Sequence, residues 1–519
     1  QEHQRQVTNH TGSYCIMKKR ILVFHDSHNA SVCEIVDGKI IYSQEAERLD
    51  KIKRSTSLSL LLEKYKNQKA DKVIFVCHHT SVDTAKHKWP HQIKCSDIEY
   101  VSEHHFFHSC SSYFNSGFDK SYVLVMDGLG MKHNNGKEIV SLYYFSKNKY
   151  KTIFKVFASV NERQEGTSFY INTLSLGHLF KVTASILNMN EAGSVMGYSC
   201  YQKPFEYSVF GEQFNHFKLD QYFLKNVIEN RNNETKRREF CFMVQKNVED
   251  IVIKYVKNII KNKKRNLCVS GGVFQNSVLN GKLLDYCNNL FVDPISHDGG
   301  LSVGAALWYS NKNTFQKTTY NSLFLGDPLE YSKLKNYRKT NTKEIATLLS
   351  VGKVVAIAQG RNEIGPRALG NRSILFDPRN PQAKDKINLL KQREWFRPYA
   401  GTVLHEHATD WFDLKNKQET PYMSYCFKVK RKEIPGITHI DGSCRVQTLK
   451  REQNIKFYEL ITEFYNITKV PVLFNTSFNE AGMPLLNTVE DIVDFFKRNS
   501  YLDVVYFPDI QGLISRNML

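Results

Sequence analysis

The chain has 519 residues, 41% of them apolar and 24% charged. That balance suits globular cores, excludes a disordered or fibrous chain, and leaves length for two to four domains of about 150 residues each. Seventy-one Lys and Arg against 52 Asp and Glu leave a formal charge of +19, a field that concentrates polyanions and phosphorylated small molecules. No run approaches the roughly 18 uncharged apolar residues of a membrane span, so the reading is a soluble protein with no membrane partner. Residues 1–17 lack the charged, apolar and small-residue sections of a signal peptide and read as an extension outside the fold. The 11 cysteines form no CxxC pair, which points to a reducing cytoplasm.

In chain order, residues 20–44 read as a β-meander, with Asp37-Gly38 as its hairpin turn. Short apolar runs at 72–76, 122–126, 266–269 and 289–292 read as buried strands, and 248–261 has the apolar period of a helix. Strands followed by glycine turns and then helices indicate an α/β class, and this first unit has room for two diverged halves. Polar stretches at 311–321 and 334–344 flank an expected linker, set at 321–345. A second α/β unit opens at 351–358, giving domains at 18–320 and 346–519.

Four segments of the first unit suit chemistry. In Glu103-His104-His105-Phe106-Phe107-His108, His104 and His108 lie at i and i+4, on one face if the segment is helical, close enough to share a metal. A helical histidine pair is as often structural as ligating, so this alone decides nothing. The run at 122–130 ends in Asp127 and Gly128, and the run at 266–276 ends in Gly271 and Gly272 and reaches Asn276. Carboxylates and glycines at strand ends bring backbone N–H groups up to a phosphate or metal. His297-Asp298-Gly299-Gly300 is a further carboxylate before glycines. Two His and two Asp form a mixed nitrogen and oxygen set that suits iron, manganese or zinc. No GxxxxGK[ST] sequence is present, which excludes a P-loop enzyme.

The second unit carries the stronger signal. Arg361, Arg367 and Arg372 fall among Gly365, Pro366, Gly370, Asn371 and Ser373, and Lys391, Arg393 and Arg397 follow. Guanidinium forks recognise phosphate or carboxylate bidentately, and glycine lets the backbone close on the ligand. The run lacks a helical period, so a merely solvated charged face is the weaker reading. Arg445, and Asn475 with Ser477, stand in two more clusters that look like loops at strand ends.

Taken together, the motifs GPRALGNRSILFDPR at 365–379, FRPYA at 396–400, HIDGSCRVQT at 439–448 and NTSFNEAGMP at 475–484 resemble those of the ATP-dependent O-carbamoyltransferases of antibiotic and nodulation-factor type. The likeness runs from about residue 18 to about 508. It includes His25-Asp26-Ser27-His28-Asn29-Ala30-Ser31 and Gln44-Glu45-Ala46-Glu47-Arg48.

The resemblance implies an N-terminal domain of the actin-like ATPase superfold followed by a YrdC-like α/β domain. The second domain would make carbamoyl-adenylate from carbamoyl phosphate and ATP with Mg2+. The first would pass the carbamoyl group to an acceptor hydroxyl with the help of Fe(II) or another divalent metal. On this likeness His104, His108, Asp127 and Asp298 are the metal ligands, and Gly128, Gly271, Gly272 and Asn276 hold the nucleotide. His25 and Asp26 take the place of the base or acceptor-orienting group. Arg361, Arg367, Asn371, Arg372, Ser373, Lys391, Arg397, Arg445, Asn475 and Ser477 cradle carbamoyl phosphate and ATP. The family leaves room for a homodimer.

Two departures stand out. Ser194 replaces a lysine that many relatives carry in EGKVMG, and the chain is short for the family, which suggests trimmed acceptor loops. For the acceptor, basic clusters at 86–94, 231–238 and 257–265 raise nucleic acid as a partner, for instance a flipped-out hydroxymethylpyrimidine in DNA. The alternatives are a small-molecule or sugar hydroxyl, or a non-catalytic nucleic-acid-binding protein on the same scaffold.

Overall fold

A computed structural model describes residues 19–77, 93–134, 136–158, 175–205, 221–261, 264–315 and 322–518. The extension at 1–17 and residues 86–92 of the first basic cluster lie outside the described residues.

Apolar side chains at successive positions mark strands that are covered on both faces. β1 (Arg20–Asp26) is one of these, and it pairs antiparallel with β2 (Ser31–Val36), which pairs antiparallel with β3 (Lys39–Glu45). On its other side β1 is parallel to β4 (Lys72–Cys77), and β4 to β5 (Ile98–Val101), so the sheet order is β3-β2-β1-β4-β5.

The second sheet repeats this pattern. β6 (Lys120–Met126) lies antiparallel to β8 (Gly136–Ser146), which pairs with β9 (Lys149–Ala158), and the two-residue β7 (Lys132–His133) also pairs with β8. β6 is parallel to β10 (Asn266–Ser270), and β10 to β11 (Asn289–Val292). Two sheets, each with an antiparallel pair on one side of the first strand and a parallel pair on the other, are the duplicated halves of the actin-like superfold. The DG hairpin, the buried strands and the α/β class all follow the sequence reading. The expected helix at 248–261 is the end of a longer one, Glu234–Ile260, whose start is capped by the Asn233 side chain accepting from the Lys236 N–H.

Helices His104–Asn115 and Leu301–Asn311 pack against each other between these sheets, and every residue of the first is buried. Their approach depends on Gly304, where an added Cβ would stand 1.9 Å from the Phe107 carbonyl oxygen.

The C-terminal part is one mixed sheet of ten strands: β12 (Arg338–Lys339), β13 (Val355–Ala358), β14 (Arg372–Phe376), β15 (Ala400–Leu404), β16 (Phe412–Asp413), β17 (Cys426–Val429), β18 (Ser443–Leu449), β19 (Val472–Ser477), β20 (Val504–Phe507) and β21 (Gly512–Ser515). Its order is β12-β21-β20-β13-β14-β19-β15-β18-β17-β16. Strand β12 and the start of helix Thr342–Ser350 fall inside the stretch read as a linker, because β12 pairs with β21. No helix of the described residues is long and apolar enough to cross a membrane.

Candidate active site: a metal centre beside an arginine cradle

Helix His104–Asn115 presents His104 and His108 on one face, with ring centroids 4.8 Å apart. Asp127 follows the last residue of β6, and Asp298 lies in the turn after β11. One ligand atom from each of the four residues falls within 4.8 Å of every other. His104 Nε2 is 3.0 Å from Asp127 Oδ2 and 3.7 Å from Asp298 Oδ1, and His108 Nε2 is 3.6 Å from Asp298 Oδ1.

Donors about 2.1 Å from a shared cation are separated by about 3 to 3.4 Å, close to this spacing. The atoms also fit a cation better than they fit each other, since His108 Nε2 is buried with no hydrogen-bond partner among the described residues. Burial alone would raise the Asp298 carboxyl, but the charge of His104, the nearby His108 and the bond from His28 hold it well below the usual carboxylate range. Burial would likewise lower His104, and the charges of Asp298 and Asp127 reverse this into a raised imidazole. Two ionised carboxylates facing two imidazoles suit a divalent transition metal.

The glycine loop adjoins this centre. Gly271 takes φ +97°, and an added Cβ there would meet the Met126 carbonyl oxygen at 2.3 Å. That conformation turns the Gly272 N–H onto Asp127 Oδ1 at 2.9 Å. Gly128 faces the His178 ring, which a Cβ at this glycine would approach to 3.7 Å. His178 is a site neighbour that no motif announces. Asn276 is engaged elsewhere: its Oδ1 caps helix Ser277–Leu283 and its Nδ2 donates to Gln245 Oε1 at 2.9 Å.

The segment after β1 separates its two histidines. His25 is 0% exposed, its Nδ1 lies 3.4 Å from the Asn29 carbonyl, and burial pulls its imidazole down to about 3. Asp26 is buried at the strand end. His28 has a side chain 50% exposed, with Nδ1 2.9 Å from Asp298 Oδ2, and the bond from Asp298 raises it to about 9. The family likeness points to His25, which feels the charges of Asp298 and His104 and whose buried Nε2 has no hydrogen-bond partner among the described residues, while His28 of the same motif bonds Asp298 directly. The turn between β1 and β2 decides which imidazole faces outward.

The arginine-rich residues divide into two groups. Arg361 donates to the carbonyls of Ile41, Leu325 and Gly326, and so pins the two domains together. Arg372 is 0% exposed and donates to the carbonyls of Gln359, Asn371 and Gly360. The Lys391 ammonium sits among oxygens of Ser477 and Asn479. Asn371 bonds Arg361 O and Asn454, Ser373 Oγ accepts the Gly370 N–H, and Asn475 donates to Thr402 Oγ1. These seven side chains, Ser477 included, shape the loops.

Arg367, Arg393, Arg397 and Arg445 form the other group. Burial and the adjacent Arg445 push Arg367 well down, while burial and Arg393 with Arg397 lower Arg445, although Cys426 opposes this. Arg393 is lowered by burial and then by Arg397. Partly buried guanidiniums that repel one another make this group the candidate anion site. Arg445 Nε is buried without a partner among the described residues. Arg393 joins the cradle although the family likeness assigns it no role.

The cradle faces the first domain. Arg367 Nη2 donates to the Gln275 carbonyl at 2.9 Å, and Arg397 bonds Ser194 Oγ at 2.7 Å and Glu191 Oε2 at 3.2 Å. Glu191 also meets Lys53 at 2.5 Å, so this loop lysine stands beside the segment where relatives carry theirs at 194.

Comparison with known proteins identifies the family. The family model "Carbamoyltransferase N-terminus" matches residues 42–307, and "Carbamoyltransferase C-terminus" matches residues 346–511. Nodulation protein NolNO of Sinorhizobium fredii is 28% identical over 90% of this chain and 76% of its own length. Nodulation protein NolO of Bradyrhizobium diazoefficiens is 29% identical over 76% of this chain and 75% of its own. Full-length HypF in its phosphate- and nucleotide-bound form aligns at 16% identity and a TM-score of 0.41, covering 58% of this chain and 56% of that one. The chain belongs to the carbamoyltransferase family.

Proposed function

We propose that the protein is an ATP-dependent O-carbamoyltransferase whose two half-reactions run on either side of the loop from Gly271 to Asn276. The observation that carries this reading is that one end of the loop bonds the metal-ligand carboxylate Asp127, and the other bonds the cradle residue Arg367.

In the cradle, carbamoyl phosphate, ATP and water give carbamoyl-adenylate, inorganic phosphate and pyrophosphate. Arg367, Arg393, Arg397 and Arg445 hold the phosphates and screen their mutual repulsion. In the second step the acceptor oxygen bonds to the carbamoyl carbon, the carbon–oxygen bond to AMP breaks, and the hydroxyl proton leaves to a base. His28 is the solvent-reaching imidazole at this centre and is our choice for that proton, because a cation bound to Asp298 would take up the charge that otherwise keeps this imidazole protonated. A divalent cation, Fe(II) by family precedent, held by His104, His108, Asp127 and Asp298 supplies Lewis-acid polarisation of the carbamoyl carbonyl.

For the acceptor we favour a small-molecule or sugar hydroxyl over a hydroxymethylpyrimidine in DNA. The basic cluster at 231–238 is engaged internally: Arg238 pairs with Glu234, Lys236 with Glu239, and Arg237 bonds the Leu187 carbonyl. In the cluster at 257–265, Arg265 bonds the Ile259 carbonyl.

The test is mass spectrometry of an acceptor panel incubated with ATP, carbamoyl phosphate and Fe(II), beside ATP–pyrophosphate exchange dependent on carbamoyl phosphate. A carbamoyl gain on sugars or small alcohols is expected. A gain on hydroxymethylcytosine DNA alone would reverse the acceptor assignment, and absence of exchange would sink the adenylate chemistry and favour a non-catalytic role.

A further inference from the structure

The segment Gln44-Glu45-Ala46-Glu47-Arg48 has no part in the chemistry above, yet Glu45, Glu47 and Arg48 are only 4%, 7% and 5% exposed. Burying a cluster of charges is costly, and apolar replacements of similar volume are often neutral or stabilising. What these charges touch gives them a role.

β3 ends at Glu45 and helix Glu47–Asp50 follows at once, so neighbouring side chains leave the backbone in different directions. Glu45 turns toward the metal centre. Its Oε2 meets His297 Nε2 at 2.9 Å and accepts from Asn29 Nδ2 at 3.3 Å. His297 immediately precedes the ligand Asp298. A Cβ on Gly299 would stand 2.9 Å from the Glu45 carboxyl and 2.9 Å from His297 Nε2, so the pair lies directly on the backbone of the ligand turn.

Arg48 turns toward the second domain. Its Nη1 bonds Glu47 Oε1 at 2.6 Å, and its Nη2 donates across the domain boundary to the Gly365 carbonyl at 3.0 Å. The same nitrogen stays 3.9 Å from Glu45 Oε1. Gly365, at φ +88°, opens the arginine loop two residues before Arg367. One buried path therefore runs from Asp298 through His297, Glu45, Arg48 and Gly365 to Arg367.

We infer that Glu45 and Arg48 are positioning residues that fix the metal-ligand turn and the arginine loop relative to each other, so that a carbamoyl group activated in the cradle meets the acceptor in reacting geometry. This rests on the carbamoyl-adenylate reading. Neither residue touches the reacting atoms; they act through His297 and Gly365. A loosened strut leaves adenylate formation intact but lets water reach the intermediate, giving carbamate and AMP in place of carbamoyl ester and AMP.

The experiment compares the wild-type protein with Arg48→Lys, which keeps the charge but has one nitrogen for two partners, and with Arg48→Met. It measures AMP released per carbamoyl ester formed, carbamoyl-phosphate-dependent exchange, and the thermal midpoint. Misplacement of about 1 Å can cost on the order of 100-fold in rate, so the AMP-to-ester ratio is expected to rise about tenfold while exchange stays within about twofold. An unchanged ratio, or exchange falling in step with ester formation, overturns the inference. If Arg48→Met does not fold, Arg48→Lys decides. Absence of exchange in the wild-type protein overturns the adenylate reading, and this inference with it.

Discussion

Arg367 Nη2 donates to the Gln275 carbonyl at 2.9 Å, three residues after Gly272 gives its N–H to Asp127. A side chain of the second domain and a carboxylate of the candidate metal centre in the first thus hold opposite ends of one glycine turn. The two candidate centres adjoin through that turn, as the proposed passage of a carbamoyl-adenylate without release to solvent requires.

The metal centre and the cradle separate in their responses to mutation. His108→Ala removes a buried donor whose Nε2 lacks a hydrogen-bond partner among the described residues. Carbamoyl transfer is expected to fall by about 100-fold or more, a scale that loss of an outer partner already reaches. Exchange in the cradle should persist. Metal content by elemental analysis, with both assays, checks this, and loss of exchange along with transfer would contradict it.

The two arginine groups predict opposite phenotypes. Arg372→Ala leaves the carbonyls of Gln359, Asn371 and Gly360 without their donor and should cost about 3 kcal/mol, read as a lowered thermal midpoint. Arg445→Ala relieves repulsion among partly buried guanidiniums, so the midpoint should hold or rise while the carbamoyl phosphate KM in exchange increases about 100-fold. Equal loss of stability in both variants would mean that Arg445 is structural.

Gly304→Ala tests the helix pair that carries the histidines. Its Cβ would be 1.9 Å from Phe107 O, which must shift. Overpacking of this kind costs about 1 to 3 kcal/mol, and metal affinity should weaken with it because Phe107 sits between His104 and His108. Denaturation and metal titration on the same variant check both parts.

Acid should weaken the domain boundary at Glu191. Burial would raise this carboxyl, but Arg397 and Lys53 hold it well below its ordinary 4.5. A depressed folded value stabilises fully above the unfolded value and is lost as pH falls through the folded one. The difference in thermal midpoint between wild type and Glu191→Gln should therefore be constant near neutrality and shrink below pH of about 4.5. A difference that grows in acid would reverse the sign.

The strands are legible in the amino-acid order alone, because continuous apolar runs at β1, β6 and β10 and the Asp37-Gly38 turn are local signals that survive any packing. The same order places Asp127 and Gly271 at strand ends, although Asp298 falls in a short helical turn six residues beyond β11, and the i, i+4 spacing puts His104 and His108 on one face. What each polar side chain faces is set by the packing of distant segments. Arg361 and Arg367 stand six residues apart in one motif, yet Arg361 closes on Ile41 O, 320 positions away, while Arg367 enters the cradle. His25 and His28 differ in the same way, one fully buried at the end of β1 and one reaching solvent. A guanidinium or imidazole does the same local chemistry in either setting. Only the partners that the fold brings from distant segments determine whether its donors are satisfied by carbonyls or left for a ligand.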